Sequence, residues 1–239
     1  MDTTHRTRFL GRITIAAATT AAIAAGLLGI TAGPAAAEDG TTAKQVVETK
    51  IDQRLARLNE LQGRVTASEY VTDADRAALN DILANETAGL TALRAKVDGE
   101  TDLKAIAADA KSMIDDYRVY VVVTPQVHLV LATDVGEHAI GYANDTVGPK
   151  LDAAIAKAQA AGKDVTKAQT DDDAFKAAVA AAAADLNGQD ATLLAQTPHG
   201  YPDNHQTFLD ARAKVADARA QLAAARTAAH NVVADLKAG

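Results

Sequence analysis

The chain has 239 residues, with 24 basic against 31 acidic side chains and a net charge of −7 when histidine is neutral. A polypeptide this acidic has no general attraction for nucleic acid or anionic lipid. Cysteine and tryptophan are absent and aromatics make up 3%, which excludes disulfide staples and leaves few large side chains to anchor a ligand.

At the N-terminus Arg6, Arg8 and Arg12 precede an apolar run from Ile13 to Ile30, and Ala35, Ala36 and Ala37 follow. Basic end, apolar centre and small residues at an A-x-A site are the order of a secretory signal. The run is long enough to ask whether it stays as an anchor. Pro34 and the alanines come directly behind it with no basic stop-transfer cluster, so a cleaved leader over residues 1–37 is the expectation. No cysteine offers lipid attachment and no adjacent arginine pair marks a twin-arginine route. Cleavage removes three arginines and Asp2, leaving 202 residues at a net charge of −9. Without disulfides such a chain is held by packing alone, and its many alanines favour helices meeting at close range.

In the mature part, Val47, Ile51, Leu55, Leu58, Leu61 and Val65 recur at three- and four-residue steps, which predicts an amphipathic helix over about 44–67. Thr72 is a capping residue with Asp73 and Asp75 in the turn behind it, where the helix dipole favours negative charge. That second helix carries Leu79, Leu83, Leu90, Leu93 and Val97 and stops at Asp98-Gly99. A third, about 101–116, sets Leu103, Ile106, Ala110 and Met113 on one face. The valine-rich run from Tyr117 has the composition of a strand. With no second strand candidate to pair it, the expectation is a largely buried helix kinked at Pro125, too interrupted by Pro125 and His128 to span a membrane. The pattern continues past Gly148-Pro149, with small residues at Ala132, Gly136, Ala139 and Ala143, and ends at Gly162. A further helix is predicted from Thr170 to about Gln196, with an interruption at Asn187-Gly188.

Pro198, Gly200 and Pro202 break the chain over 197–204, and Asp203 or Asn204 is the expected cap of the last helix. That helix repeats every seven residues: Phe208, Val215, Leu222, Ala229 and Leu236 on one seam line, Ala211, Ala218, Ala225 and Val232 on the other. Arg212, Arg219 and Arg226 flank the seam. They are expected to lay their stems over apolar surface and bridge to an acidic neighbouring helix; a rail for a polyanion is the competing reading.

Constellations that carry chemistry are sparse. Asp171–Asp173 lack the alternating ligands, turn glycine and closing glutamate of a calcium loop, and read instead as an acidic first helical turn. Asp134 and His138 share a helical face, while His199 and His205 bracket the loop, but two ligands do not complete a zinc site. Ser68 and Ser112, the only serines, have no nucleophile-elbow setting. No catalytic residue, cofactor site or metal site is therefore assigned, and no enzyme is expected.

The YRVY…PQVHLV segment that begins at Tyr117, with the alanine-, arginine- and aspartate-rich closing helix and the triple-alanine signal, resembles uncharacterised secreted alanine-rich helical proteins of high-GC Gram-positive bacteria. The resemblance implies a helical build and a place outside the cytoplasmic membrane, and carries no activity to any residue. The expectation is an all-α protein: an elongated antiparallel helical bundle or coiled-coil-like array of about six helices, mature over 38–239, with hinges near 124–125, 148–149 and 197–204. It would be exported through a Sec-type signal and serve a non-enzymatic structural or protein-interaction role at the envelope or outside the cell. Its partners would be proteins meeting its helix faces, with no nucleic acid and no stable membrane insertion. The alternative is a binding module for a small apolar ligand or metal around 117–145, where His128, Asp134, His138 and Tyr142 lie.

Overall fold

A computed structural model describes residues 36–238 of the chain. By its internal contacts Glu38–Gly239 is one compact unit, and the description concerns it. The expected leader lies outside the described residues, apart from Ala36 and Ala37 at the start of the first helix.

The protein is all-α. Among the described residues there is no strand; the helices are α1 (Ala36–Ala67), α2 (Asp73–Gly99), α3 (Leu103–Asp115), α4 (Thr124–Tyr142), α5 (Gly148–Ala160), α6 (Thr166–Leu186), α7 (Gln189–Leu194) and α8 (His205–Ala238). Where about six were expected, five are of 19 residues or more and three are shorter.

α1 and α2 form an antiparallel hairpin because each carries a leucine stripe and a short connection turns the chain. Val47, Ile51, Leu58, Leu61 and Val65 of α1 are buried together with Leu79, Leu83, Leu90, Leu93 and Val97 of α2. The register is visible in the polar pairs along the edge: Glu48 and Asp52 meet Arg94 at 2.9 and 3.2 Å, and Gln62 donates to Asn80 at 2.7 Å. Thr72 Oγ1 accepts from the Asp75 N–H at 3.1 Å and caps α2. Arg76 donates to the Val65, Thr66 and Ser68 carbonyls, which fills the acceptors that the end of α1 leaves open.

The valine run is helical. Arg118, at φ 37°, separates α3 from a rod that runs without interruption from Val119 to Ala160. Two π-turns interrupt its α geometry, Val119–Val123 and Ala143–Val147. Each stands directly before a proline in the first turn of the next α segment, Pro125 or Pro149. Proline removes one intrahelical donor, and the widened turn carries the hydrogen bonding past it: Thr124 N–H reaches the Val119 carbonyl and Gly148 N–H the Ala143 carbonyl. The positions read as hinges are thus π-turns inside a continuous rod. At its far end Gly162, at φ +77°, closes a Schellman cap, with Lys163 N–H on the Ala158 carbonyl and Gly162 N–H on that of Gln159.

α6 begins one turn earlier than the sequence suggests. Asp164 accepts from the Thr166 N–H at 2.9 Å, so Asp171–Asp173 fall in the second turn rather than the first. There Lys167 holds Asp171 at 3.2 Å and Lys176 holds Asp172 at 2.6 Å. α6 packs on α8 through Ala168, Ala178, Val179 and Ala182 against Val215, Ala218, Ala225, Ala228 and Val232. Lys167, at the start of α6, pairs with Asp235, near the end of α8, at 2.8 Å, so the two run antiparallel. The heptad seam holds in part: Ala211, Ala218, Ala225 and Val232 are buried, but Leu222, Ala229 and Leu236 are only half-buried while Ala228 is buried. A straight helix drifts about 20° per heptad from a seven-residue repeat, and the buried stripe shifts accordingly. Asn204 does not act as the plain cap expected; its buried side chain donates to the Thr197 carbonyl at 2.9 Å.

At Gly136 of α4 the Leu186 side chain of α6 lies against the backbone. A Cβ there would run into Leu186 Cδ1, which explains the small residue in that position.

Candidate functional site

The residues gathered by number around 117–145 do not gather in space. His128 is half-buried with Nε2 3.5 Å from Arg57 Nη2, and burial, with Arg57 close by, lowers its pKa. His138 is turned outward and stacks on Tyr70 with ring centroids 4.3 Å apart. Tyr142 is exposed. His199 stands at the surface 3.7 Å from Asp116, and His205 meets the edge of Tyr201. No pair of these histidines shares a ligand position.

Asp134 behaves differently. It is 2% exposed, in the middle of α4, and faces the starts of two other helices. Its Oδ1 accepts weakly from the Thr72 N–H at 3.4 Å, while its Oδ2 has no partner. Asp75, in the first turn of α2, and Asp190, in the first turn of α7, bring one carboxylate oxygen each to the same place. The three oxygens lie within 4.8 Å of one another. Among the described residues none of these acids forms an ion pair.

Each element is held in place by its own contacts. The Thr72 cap fixes Asp75, whose Oδ2 accepts from Thr72 Oγ1 at 2.6 Å. Gly188, at φ +70°, turns the chain from α6 into α7. Buried Gln126 on α4 donates to the Leu193 and Gln196 carbonyls at 2.8 and 3.0 Å. This satisfies acceptors at the end of α7 and fixes Asp190 over α4. Thr133 on α4, whose hydroxyl donates to the Leu129 carbonyl at 3.0 Å, stands beside Asp190 and pulls its pKa down a little.

Burial and neighbouring negative charge both raise the pKa of a carboxyl group. Asp134 is pushed up to about 6, first by burial and then by Asp75 and Glu137, against the pull of the Thr72 N–H. Asp190 is pushed up to about 7 by burial and by Asp134, Glu137 and Asp75. Glu137, one turn beyond Asp134, is raised by burial and by Asp75. The cluster therefore needs protons or a cation to be tolerated at neutral pH.

A second, open recess between α2 and α3 is lined by Gly89, Lys96, Asp109, Ser112 and Tyr117. Its buried Asp109 is already paired with Lys96, and the Tyr117 ring fills the space that Gly89 leaves without a side chain.

Sequence reasoning singled out Asp134 but paired it with His138, four residues on. It read Asp75 as a dipole-favoured first-turn residue and passed over Asp190. No local spacing joins residues 75, 134 and 190; the three meet only through the packing of α2, α4 and α7. Compared with protein-family models, curated proteins and solved structures, the chain matches none.

Proposed function

We propose that the chain is an exported, non-enzymatic helical protein with a structural or protein-interaction role at the cell envelope or outside the cell. One observation carries the interaction role. Of the eight exposed large apolar residues among those described, five (Ile114, Tyr120, Val121, Val135 and Tyr142) fall between 114 and 142. Exposed apolar and aromatic side chains are the usual anchors of a protein contact. The reading keeps the resemblance to secreted alanine-rich helical proteins and the leader over 1–37. A stretch within Leu103–Ala160 is long and apolar enough to cross a bilayer by length and composition. Val122, Val123, Val127, Val130 and Asp134 in it are buried in the fold, so the proposal takes it as core and not as anchor.

The test is to express the full chain in a Gram-positive host, fractionate the culture and sequence the N-terminus of the product. Product starting at Glu38 in the wall or medium supports export; full-length product confined to the cytosol overturns it. A photo-crosslinker at Tyr120 or Tyr142 should capture a discrete envelope protein, whereas one at Ala223 on the exposed side of α8 should not. Equal capture from all three positions would sink the interaction role.

A second reading, a binding module for a small apolar ligand or metal around 117–145, is favoured in its metal half by the unpartnered oxygen of Asp134.

A further inference from the structure

Helix position explains two members of the carboxylate cluster. Asp75 and Asp190 sit in the first turns of α2 and α7, where the dipole welcomes negative charge. It does not explain Asp134, which lies in mid-helix, 2% exposed, with Oδ2 unpartnered. An ionised carboxylate held out of water costs several kcal/mol unless something answers its charge. Among the described residues the groups that reach it are an amide N–H at 3.4 Å and other carboxylates. A buried Oδ1 of Asp190 is likewise without a partner in the hydrogen-bond network.

From this geometry we propose that Asp75, Asp134 and Asp190 form a divalent-cation site of the calcium class that ties the start of α2, the middle of α4 and the start of α7 together. The inference rests on the metal half of the second reading above and narrows it to one place and one kind of ion. The donor set is all oxygen, with no imidazole or thiolate, which selects hard cations over zinc or copper. The three oxygens lie within 4.8 Å of one another, inside the span of about 5 Å that two oxygens on one calcium ion cover. Glu137, three residues beyond Asp134 on the same helix, supplies a further carboxylate nearby, and Thr72 and Thr133 supply hydroxyls. Such a mixed and irregular set suits the flexible six- to eight-fold shell of calcium better than the strict octahedron of magnesium.

The experiment uses the full chain, freed of metal with chelator and dialysed at pH 7.5. Calcium chloride, magnesium chloride and potassium chloride at matched ionic strength are then titrated in, with heat of binding and melting temperature as readouts. The expected result is one calcium per chain, with a melting temperature that climbs with calcium concentration as mass action requires and a response to magnesium at least tenfold weaker. Asp134→Asn should abolish the calcium-dependent rise while leaving the metal-free protein at least as stable as wild type, because a neutral amide replaces an unanswered charge. Should that variant fail to fold, Asp190→Asn, at a less buried position, must reduce the affinity at least tenfold. Absence of any heat or shift with calcium up to 10 mM overturns the proposal and leaves protons as the cluster's neutralising partner. Equal responses to calcium and magnesium that persist in Asp134→Asn overturn it too, as general charge screening. Tight binding of another metal that survives both substitutions sinks this site but keeps the broader metal reading.

Discussion

The α1/α2 hairpin and the α6/α8 pair are both antiparallel, but they are held together differently. The hairpin buries leucine against leucine, with Leu58, Leu61, Leu79, Leu83 and Leu90 at most 1% exposed. Its polar edges are tied by Arg94 to Glu48 and Asp52 and by Gln62 to Asn80. The α6/α8 pair buries mainly alanine and valine, with Lys167–Asp235 as its cross-helix ion pair. Fully burying a leucine contributes about 1.5–3 kcal/mol, and an alanine much less. The alanine pair therefore depends on how closely the two backbones approach, and the leucine pair on how much surface each side chain removes from water.

Opposite substitutions should break the two pairs. Leu90→Ala, at a site with 0% exposure, deletes buried surface and leaves a cavity, with an expected cost of about 2–5 kcal/mol in urea unfolding. Ala182→Leu, also at 0% exposure, overfills the α6/α8 seam and should cost about 1–3 kcal/mol. The reverse logic is weaker for each: the hairpin has little to lose from a leucine-to-methionine swap, and the alanines that make up most of the seam have little side chain to lose. A neutral Ala182→Leu would show that the seam has room and that close approach is not what holds α6 to α8.

The same contrast marks how far the sequence could be read. Ile51, Leu58, Leu61 and Val65 announce their buried face through local spacing alone, and all four are buried. The valine run was legible as helix because a strand there would have had no partner. What escaped depends on more than one turn of chain. Pro125 and Pro149 marked where the rod would bend, but the wide form of the turns before them is a backbone hydrogen-bonding response to a missing donor that the apolar periodicity does not encode. The start of α6 moved because Asp164, a residue outside the apolar periodicity, caps it. The carboxylate cluster escaped because its members stand on three elements and are each unremarkable in their own neighbourhood.

A smaller effect than the core substitutions separates the cluster from the surface acids. Asp134 and Asp190 have folded pKa values raised to about 6 and about 7 from 3.8, so between about pH 4 and 7 these two groups bind more protons in the folded chain than in the unfolded one; Glu86, raised to about 7 by burial, acts the same way, and His128, lowered by burial, acts the opposite way. By linkage, stability then falls as pH rises through that window. The groups facing them are Asp75 from α2 and Glu137 from α4, all acidic. Glu60 and Asp115 move the other way, lowered by Arg57 and by Lys111, and their contribution is lost only as pH falls below the ordinary carboxylate range. Metal-free protein should therefore show a lower urea midpoint at pH 7.5 than at pH 5, and Asp190→Asn should flatten the difference. A wild-type midpoint that rises steadily from pH 5 to 7.5 would contradict the raised values.

The smallest effect is expected where the sequence drew the most regular pattern. Arg212, Arg219 and Arg226 all lie exposed on α8, and among the described residues none pairs with an acid of a neighbouring helix; the ion pair to α6 is made by Asp235 instead. The three guanidinium groups stand in water, where an exposed ion pair would add little. Replacing all three by glutamine should change unfolding free energy by no more than about 0.5 kcal/mol per site. If the arginines serve a polyanion instead, the triple variant will lose retention on a heparin column and the salt dependence of wild-type binding will fall with it. Unchanged retention together with unchanged stability leaves them as solubilising charge on a helix whose other face is fully used.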